Sequence, residues 1–176
     1  MKFAITGHTK GLGAAIVRQL SYGHSVVGFS KSTGYNILDK EDRKLIIEQS
    51  SDCHVFVNNA HRRYAQTELL YELWDAWKEQ DKLIVNIGSN TTDSIKPFPH
   101  QYVAEKIALE KASEQLANLN MPCKVSIYRF GWIGTERVIN NYHPEKYIIP
   151  NDAAKFIVDT IMQTYNYRLV NTTLLP

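Results

Sequence analysis

Phe3-Ala4-Ile5-Thr6-Gly7-His8-Thr9-Lys10-Gly11-Leu12-Gly13 runs from an apolar tripeptide, through a turn with three glycines, into a segment of different periodicity. From Gly11 to Tyr22 the apolar residues Leu12, Ile16, Val17 and Leu20 fall at helical spacing. The stretch therefore reads as strand, tight turn, helix. Glycines allow such a turn, and the helix that follows presents unpaired N–H groups and a positive dipole end.

The same alternation continues outward. Ser25 to Phe29 reads as a second strand and Tyr35-Asn36-Ile37 as a very short third one. Lys31 to Gly34, between them, is too short for a helix and must be a turn. Asp39 to Ser50 reads as a helix with Asp39 near its N-cap. Cys53 to Val57 and Leu83 to Ile87 are apolar runs suited to buried strands, separated by an amphipathic helix over Thr67 to Gln80. Pro99 to Leu119 is the longest helical pattern, followed by a strand at Lys124 to Tyr128. A helix over Asn151 to Thr164, capped by Asn151 or Asp152, and a last strand at Tyr167 to Val170 complete the series. Strands alternating with helices imply an α/β fold with a parallel sheet covered on both faces. No linker or repeat divides the 176 residues, so residues 1–176 form a single domain.

Composition excludes several classes of function. The chain is 44% hydrophobic and 22% charged with a net charge of +2, and it has no basic stripe for nucleic acid. No apolar run reaches membrane-spanning length. The start has no signal-peptide pattern, so the expectation is a cytoplasmic protein. Cys53 and Cys123 form neither a disulfide framework nor a zinc pattern and read as buried thiols. The six histidines lack metal-ligand spacing, so no metal is expected.

In an open parallel sheet, ligands bind beyond the carboxyl ends of the strands. A glycine turn at that edge lets the backbone approach a pyrophosphate closely. Gly7, His8, Thr9, Lys10, Gly11, Leu12 and Gly13 are thus read as binding a dinucleotide. An acidic residue after the second strand would hold the ribose 2′-hydroxyl of NAD; here Ser30-Lys31-Ser32 stands instead. A lysine between hydroxyls suits a 2′-phosphate, with Lys10 as a second positive charge, so NADP(H) is preferred and NAD(H) remains open.

Ser89 follows a strand, and Tyr102 and Lys106 lie four residues apart in the long helix, on one face. A phenol titrates near 10, too high for proton transfer at neutral pH, and a nearby ammonium lowers that value. Tyr102 could then exchange a proton with a carbonyl or alcohol oxygen that Ser89 orients.

With these motifs in order, the chain resembles the short-chain dehydrogenases/reductases as an unusually short member. The resemblance covers residues 1 to about 135 and extends more loosely to the end. Thr6 to Gly13 matches the family's Thr-Gly-x3-Gly-x-Gly turn, and Asn58-Asn59-Ala60 matches Asn-Asn-Ala-Gly, which steadies the sheet beside the cofactor. Ser89 lies thirteen residues before Tyr102, the usual spacing, and Tyr102 and Lys106 match the Tyr-x3-Lys pair. Asn36-Ile37 sits where the family has Asp-Val against the adenine. Gly131, Ile133 and Thr135 resemble the segment near the nicotinamide carboxamide. By family role, Lys106 also holds the nicotinamide ribose.

The resemblance implies a Rossmann-like doubly wound parallel sheet flanked by helices. It implies an NAD(P)-dependent oxidoreductase with catalytic Ser89, Tyr102 and Lys106, acting on a small carbonyl/alcohol substrate. It also implies a homodimer or homotetramer, built through the helices near 67–80 and 99–119. Departures are His61 in place of the motif's glycine, Phe130 in place of a proline, and no asparagine over residues 61–85 for the family's proton relay. The segment after Thr135 is short for a substrate loop, with Tyr142, His143 and Tyr147 as possible contacts. His61-Arg62-Arg63 could attract an anionic substrate or cap the sheet edge. Two other functions stay open: a dinucleotide-binding regulator without turnover, and an epimerase or dehydratase using bound cofactor.

Overall fold

A computed structural model describes residues 1–163 and 169–176. Its strands are β1 (Lys2–Thr6), β2 (Ser25–Phe29), β3 (Val55–Asn58), β4 (Leu83–Ser89), β5 (Lys124–Phe130) and β6 (Asn171–Leu174). Its helices are α1 (Gly11–Leu20), α2 (Lys40–Gln49), α3 (Ala65–Trp77), α4 (Gln101–Ala117), α5 (Glu136–Tyr142) and α6 (Pro150–Met162). The strands form one sheet in the order β2-β1-β3-β4-β5-β6, every pairing parallel. This is the doubly wound, Rossmann-like α/β fold expected from the alternation.

Strand periodicity sorts the core. Phe3, Ile5, Val55, Val57, Val85 and Ile87 point to one face and pack under α1 and α6. Ala4, Phe56 and Ile84 point to the other and pack under α2, α3 and α4. The central strands are buried on both faces, so they read as unbroken apolar runs. Trp77 is fully buried edge-on to Phe56 at 6.0 Å, and Trp74 packs beside the same core. Both cysteines are free and buried. No helix among the described residues is long and apolar enough to cross a membrane.

Three local expectations need correction. Tyr35-Asn36-Ile37 is not a strand, so the sheet ends at β2. The chain makes one 3-10 turn at Lys31–Thr33, reverses at Gly34 (φ 92°) and enters α2. The backbone polar groups there find other partners: Asn36 N–H donates to Asp42 Oδ2 (2.8 Å), and the Ile37 carbonyl accepts from Arg43 (2.9 Å). With its hydrogen bonds satisfied by α2, the segment has no need of a sheet edge. Asp39 caps α2 as expected, accepting from the N–H groups of Glu41 and Asp42.

The last strand begins at Asn171, and its carbonyls and N–H groups pair with Ile127 to Phe130. Leu169 and Val170 precede it, while Tyr167 and Arg168 lie outside the described residues. Finally, α6 starts at Pro150 without a side-chain cap. Proline at the first helical position needs no N–H partner. Asn151 instead accepts from Arg18 of α1 (3.1 Å), tying the two helices where Ala15, Ala153 and Ala154 allow close packing.

Candidate active site at the carboxyl edge of the sheet

The chain departs from β1 to opposite sides of the sheet, through α1 to β2 and later to β3. The crevice between the carboxyl ends of β1 and β3 is therefore the topological switch point. Thr6 closes its floor: its Oγ1 accepts from the N–H groups of Asn59 and Ala60, both 3.0 Å, and Asn59 Nδ2 donates to the Thr6 carbonyl at 2.9 Å. Asn58 is buried and donates to Asn86 Oδ1 and the Gln66 carbonyl, both 2.9 Å.

The glycine turn fits a phosphate-bearing group. Gly7 and Gly11 have φ of 72° and 55°, which favour glycine. A Cβ at Gly13 would collide with the Gly7 carbonyl, so only glycine lets α1 start this close to β1. The first turn of α1 has no acidic residue, and Lys10 provides no side-chain cap, which leaves the N-terminal N–H groups open. His8 lies over Gly28 of β2, and its Nδ1 is buried without a hydrogen-bond partner. Thr9 reaches Ser32 (3.2 Å), and Ser32 reaches Ser30 (2.9 Å), so the glycine turn and the turn after β2 form one hydroxyl-lined surface. Lys31 is exposed beside it.

On the other side, Thr135 caps α5 and brings its methyl group to within 3.2 Å of where a Gly11 Cβ would stand. Thr135 thus faces the turn across the crevice. Gly131 and Ile133 are half-buried and held by neighbouring backbone. Gly131 N–H donates to Leu174 (2.8 Å), and Ile133 forms a bridge with Ile148. Ile37 is buried in the core, and Asn36 is half-buried, its Oδ1 accepting from Leu38 N–H (3.3 Å). The segment after Thr135 is a short helix rather than a loop: Tyr142 stacks at a tilt on Trp132 (5.1 Å), and Tyr147 covers Gly134. Arg62 and Arg63 are exposed.

Ser89, Tyr102 and Lys106 come together at the end of β4. The Ser89 hydroxyl lies near the phenol of Tyr102. Lys106 lies beneath the tyrosine ring, its Nζ 5.6 Å from the ring centroid, and is almost wholly buried. Its Nζ donates to Gln66 Oε1 (2.8 Å) and to the Ile87 carbonyl (2.9 Å). Both acceptors are neutral, and burial lowers the lysine to about 7. Tyr102 is raised, because burial outweighs the opposing effects of Ser89 and of the charge of Arg137. The expected lowering by Lys106 is therefore not what the geometry gives, since the ammonium points to Gln66 and Ile87 rather than at the phenol.

Two neighbours of the site, Gln66 and Glu105, were not singled out in the sequence. Gln66, on α3, is pinned by donating to the Asn58 carbonyl (2.7 Å) and the Ile87 carbonyl (3.2 Å), which aims its Oε1 at Lys106. A polar residue in register with Leu69, Leu70 and Leu73 was the available signal. His61 meets Glu105 at 2.7 Å and lies edge-on to the Tyr102 ring at 4.8 Å. Glu105, three residues after Tyr102, shares its helix face.

No family model and no curated protein matches this sequence. Solved structures do match. A short chain dehydrogenase from Burkholderia cenocepacia J2315 in complex with NADP superposes with a TM-score of 0.82 at 17% identity, over 98% of this chain and 86% of that one. The fold is that of the short-chain dehydrogenases/reductases. A 3-ketoacyl-(acyl-carrier-protein) reductase from Brucella melitensis complexed with NADH gives 0.83 at 17% identity, over 99% and 96% of the two chains. A 3-alpha-hydroxysteroid dehydrogenase from Pseudomonas sp. B-0831, also complexed with NADH, gives 0.80 at 14%, over 99% and 95%. Similarity so distant in sequence speaks for the short-chain dehydrogenase fold alone.

Proposed function

We propose that this protein is a nicotinamide-dinucleotide-dependent oxidoreductase acting on a small carbonyl/alcohol pair. The observation that carries the reading is the meeting of Ser89, Tyr102 and Lys106 at the end of β4, with Lys106 buried beneath the Tyr102 ring, on the carboxyl edge that also bears the glycine turn. The dinucleotide supplies or accepts a hydride when bound. The open N–H groups of α1 and the glycine turn hold its pyrophosphate, and Lys106 holds a ribose. Ser89 orients the substrate oxygen. Tyr102 gives that oxygen a proton in reduction and takes one in oxidation. Gln66 holds the Lys106 ammonium in place.

NADP(H) is preferred. Ser30, Ser32 and Thr9 offer hydroxyls around Lys31, no carboxylate lies in residues 30–34, and Lys10 adds a positive charge nearby. Relatives named above bind NADP in one case and NADH in the others, so the choice rests on these residues. The protein works in the cytoplasm, where its two thiols stay reduced, and pairs as a homodimer or homotetramer through α3 and α4, whose Tyr71 and Ile107 are exposed. A second reading is a nucleotide-binding regulator without turnover. It is favoured by the raised Tyr102 phenol, and steady turnover of any substrate excludes it.

The test is titration with NADPH and NADH, read by tryptophan fluorescence and melting temperature, in wild type and Lys31→Ala. Tighter binding of NADPH, weakened about tenfold in the variant, is the expected result, the size of one exposed charge-assisted hydrogen bond. Equal affinities unaffected by Lys31→Ala would remove the NADP preference. Absence of binding by either nucleotide would remove the oxidoreductase reading.

A further inference from the structure

Glu110 and Arg129 are charged, nearly buried, and take no part in the proposed chemistry. Glu110 is 8% exposed and the Arg129 side chain 11%. Burying a charge is costly unless it is paired and hydrogen-bonded, so the contacts of such a pair show what it holds. Glu110 lies on α4, one helical turn beyond Lys106. Its Oε2 accepts from the Thr92 hydroxyl at 2.7 Å and stands 3.3 Å from Arg129 Nε. That Nε makes no hydrogen bond, so charge joins the two side chains. Glu110 Oε1 accepts from Asn171 of β6 at 3.3 Å, and Asn171 also donates to Glu114 at 2.8 Å. Arg129 Nη2 donates to the Asp93 carboxylate.

Thr92 and Asp93 belong to the 3-10 turn Asn90–Asp93, which Ser89 opens as its N-cap. Short turns of this kind hydrogen-bond poorly within themselves, so outside contacts decide where this one sits. Thr92 shares its hydroxyl hydrogen between Glu110 and the Ser89 carbonyl (3.1 Å), and the charged acceptor is the nearer and the stronger. Ser89 Oγ accepts from Thr91 N–H at 3.3 Å, so the same turn aims the serine hydroxyl. Arg129 reaches the turn along β5. It pairs with Gly88 in the β4–β5 register, and a Cβ at Gly88 would stand 3.0 Å from Arg129 Cγ. The residue before Ser89 thus lacks a side chain where the arginine stem passes.

We propose that Glu110 and Arg129 are positioning residues for Ser89: they fix the turn that Ser89 opens to β5 and to α4, the helix that carries Tyr102 and Lys106. Ser89 and Tyr102 come from different elements, and this ion pair ties the one element to the other. The consequence for catalysis rests on the oxidoreductase reading, but the anchoring can be measured without nucleotide or substrate.

The experiment is NMR on the full chain, with nitrogen-15 relaxation of the backbone and carbon-13 at Cζ of the tyrosines. The Tyr102 signal is identified by its loss in Tyr102→Phe, and Ser89→Ala gives the shift that follows from losing the serine hydroxyl. The test variant is Glu110→Met with Arg129→Met, since removing both charges together leaves neither uncompensated. Order parameters over residues 91–94 are expected to fall from about 0.85 to below about 0.6, while those of β4 stay rigid. The Tyr102 signal is expected to move toward its position in Ser89→Ala, which a general loss of stability would not produce. Thr92→Val, which alters no charge and tests the same anchor should the double variant fail to fold, is expected to act in the same direction, and Thr92→Ser to match wild type. A turn that is already mobile in wild type, or stays rigid in the folded double variant and in Thr92→Val, would overturn the proposal. So would a loosened turn with the Tyr102 signal unmoved, or a Tyr102 signal indifferent to Ser89→Ala. The expected shifts in a protein that binds neither NADPH nor NADH would keep the anchoring and remove only the oxidoreductase reading.

Discussion

In the proposed reading, the proton transfer of the site falls to one hydroxyl, that of Tyr102. Its oxygen lies near Ser89, its ring is flanked by His61, and Lys106 lies beneath it. Tyr102→Phe removes the hydroxyl and leaves the ring contacts. Turnover is expected to fall by about 10²- to 10⁴-fold, the usual range for loss of a proton-transfer group. Melting temperature should change little, since Ser89 keeps its contact with Thr91 N–H (3.3 Å). Steady-state kinetics beside a thermal melt checks both, and unchanged kcat on an identified substrate would contradict the assignment. Ser89, Tyr102 and Lys106 were legible in the sequence because their spacing is local: a strand end, and one helical turn. Gln66 was not, because its contact with Lys106 joins residues forty positions apart.

At the scale of elements, the contact of α1 with β1 decides whether the crevice exists. Gly13 is the point of closest approach, facing the Gly7 carbonyl and Asn59 Nδ2. Backbone cannot yield as a flexible side chain can, so Gly13→Ala must push α1 away from the sheet. A loss of about 1–3 kcal/mol is expected, typical of overpacking a tight contact. Nucleotide affinity should drop with it, because the helix N-terminus moves. Denaturant unfolding and nucleotide titration read the two effects, and a variant as stable as wild type would show the approach to be looser than described. The glycine spacing foretold this strand–turn–helix unit. The missing strand at Tyr35–Ile37 was not foretold, since it turned on whether α2 could satisfy that segment's backbone, which Arg43 and Asp42 do.

Across the whole molecule, the site costs stability. Lys106 titrates near 7 in the folded protein and ordinarily at 10.5. Between those values the unfolded chain holds a proton that the folded one lacks, so wild-type stability rises with pH through that window. Below it both states are charged, and the burial cost is present in full. Lys106→Met removes the titration. The melting temperature of the variant relative to wild type is therefore expected to be most favourable below about pH 7 and to lose ground steadily toward about pH 10. Melts of both proteins across that range test this, and a difference independent of pH would mean that Lys106 is not desolvated by the fold. Such a trade of stability for a strained functional group is common where chemistry requires burial.

The sequence by itself determined the sheet, the glycine turn and the Ser89–Tyr102–Lys106 spacing. These follow from the periods of two and 3.6 that the backbone imposes on neighbouring residues, and from the freedom of glycine at a turn. Only the tertiary structure decided that Thr135 faces Gly11, that Gln66 takes the Lys106 ammonium, and that His61 holds Glu105. Those pairings join residues far apart in the chain. Close packing and the need to satisfy buried polar groups select them, and neither leaves a periodic trace in the sequence.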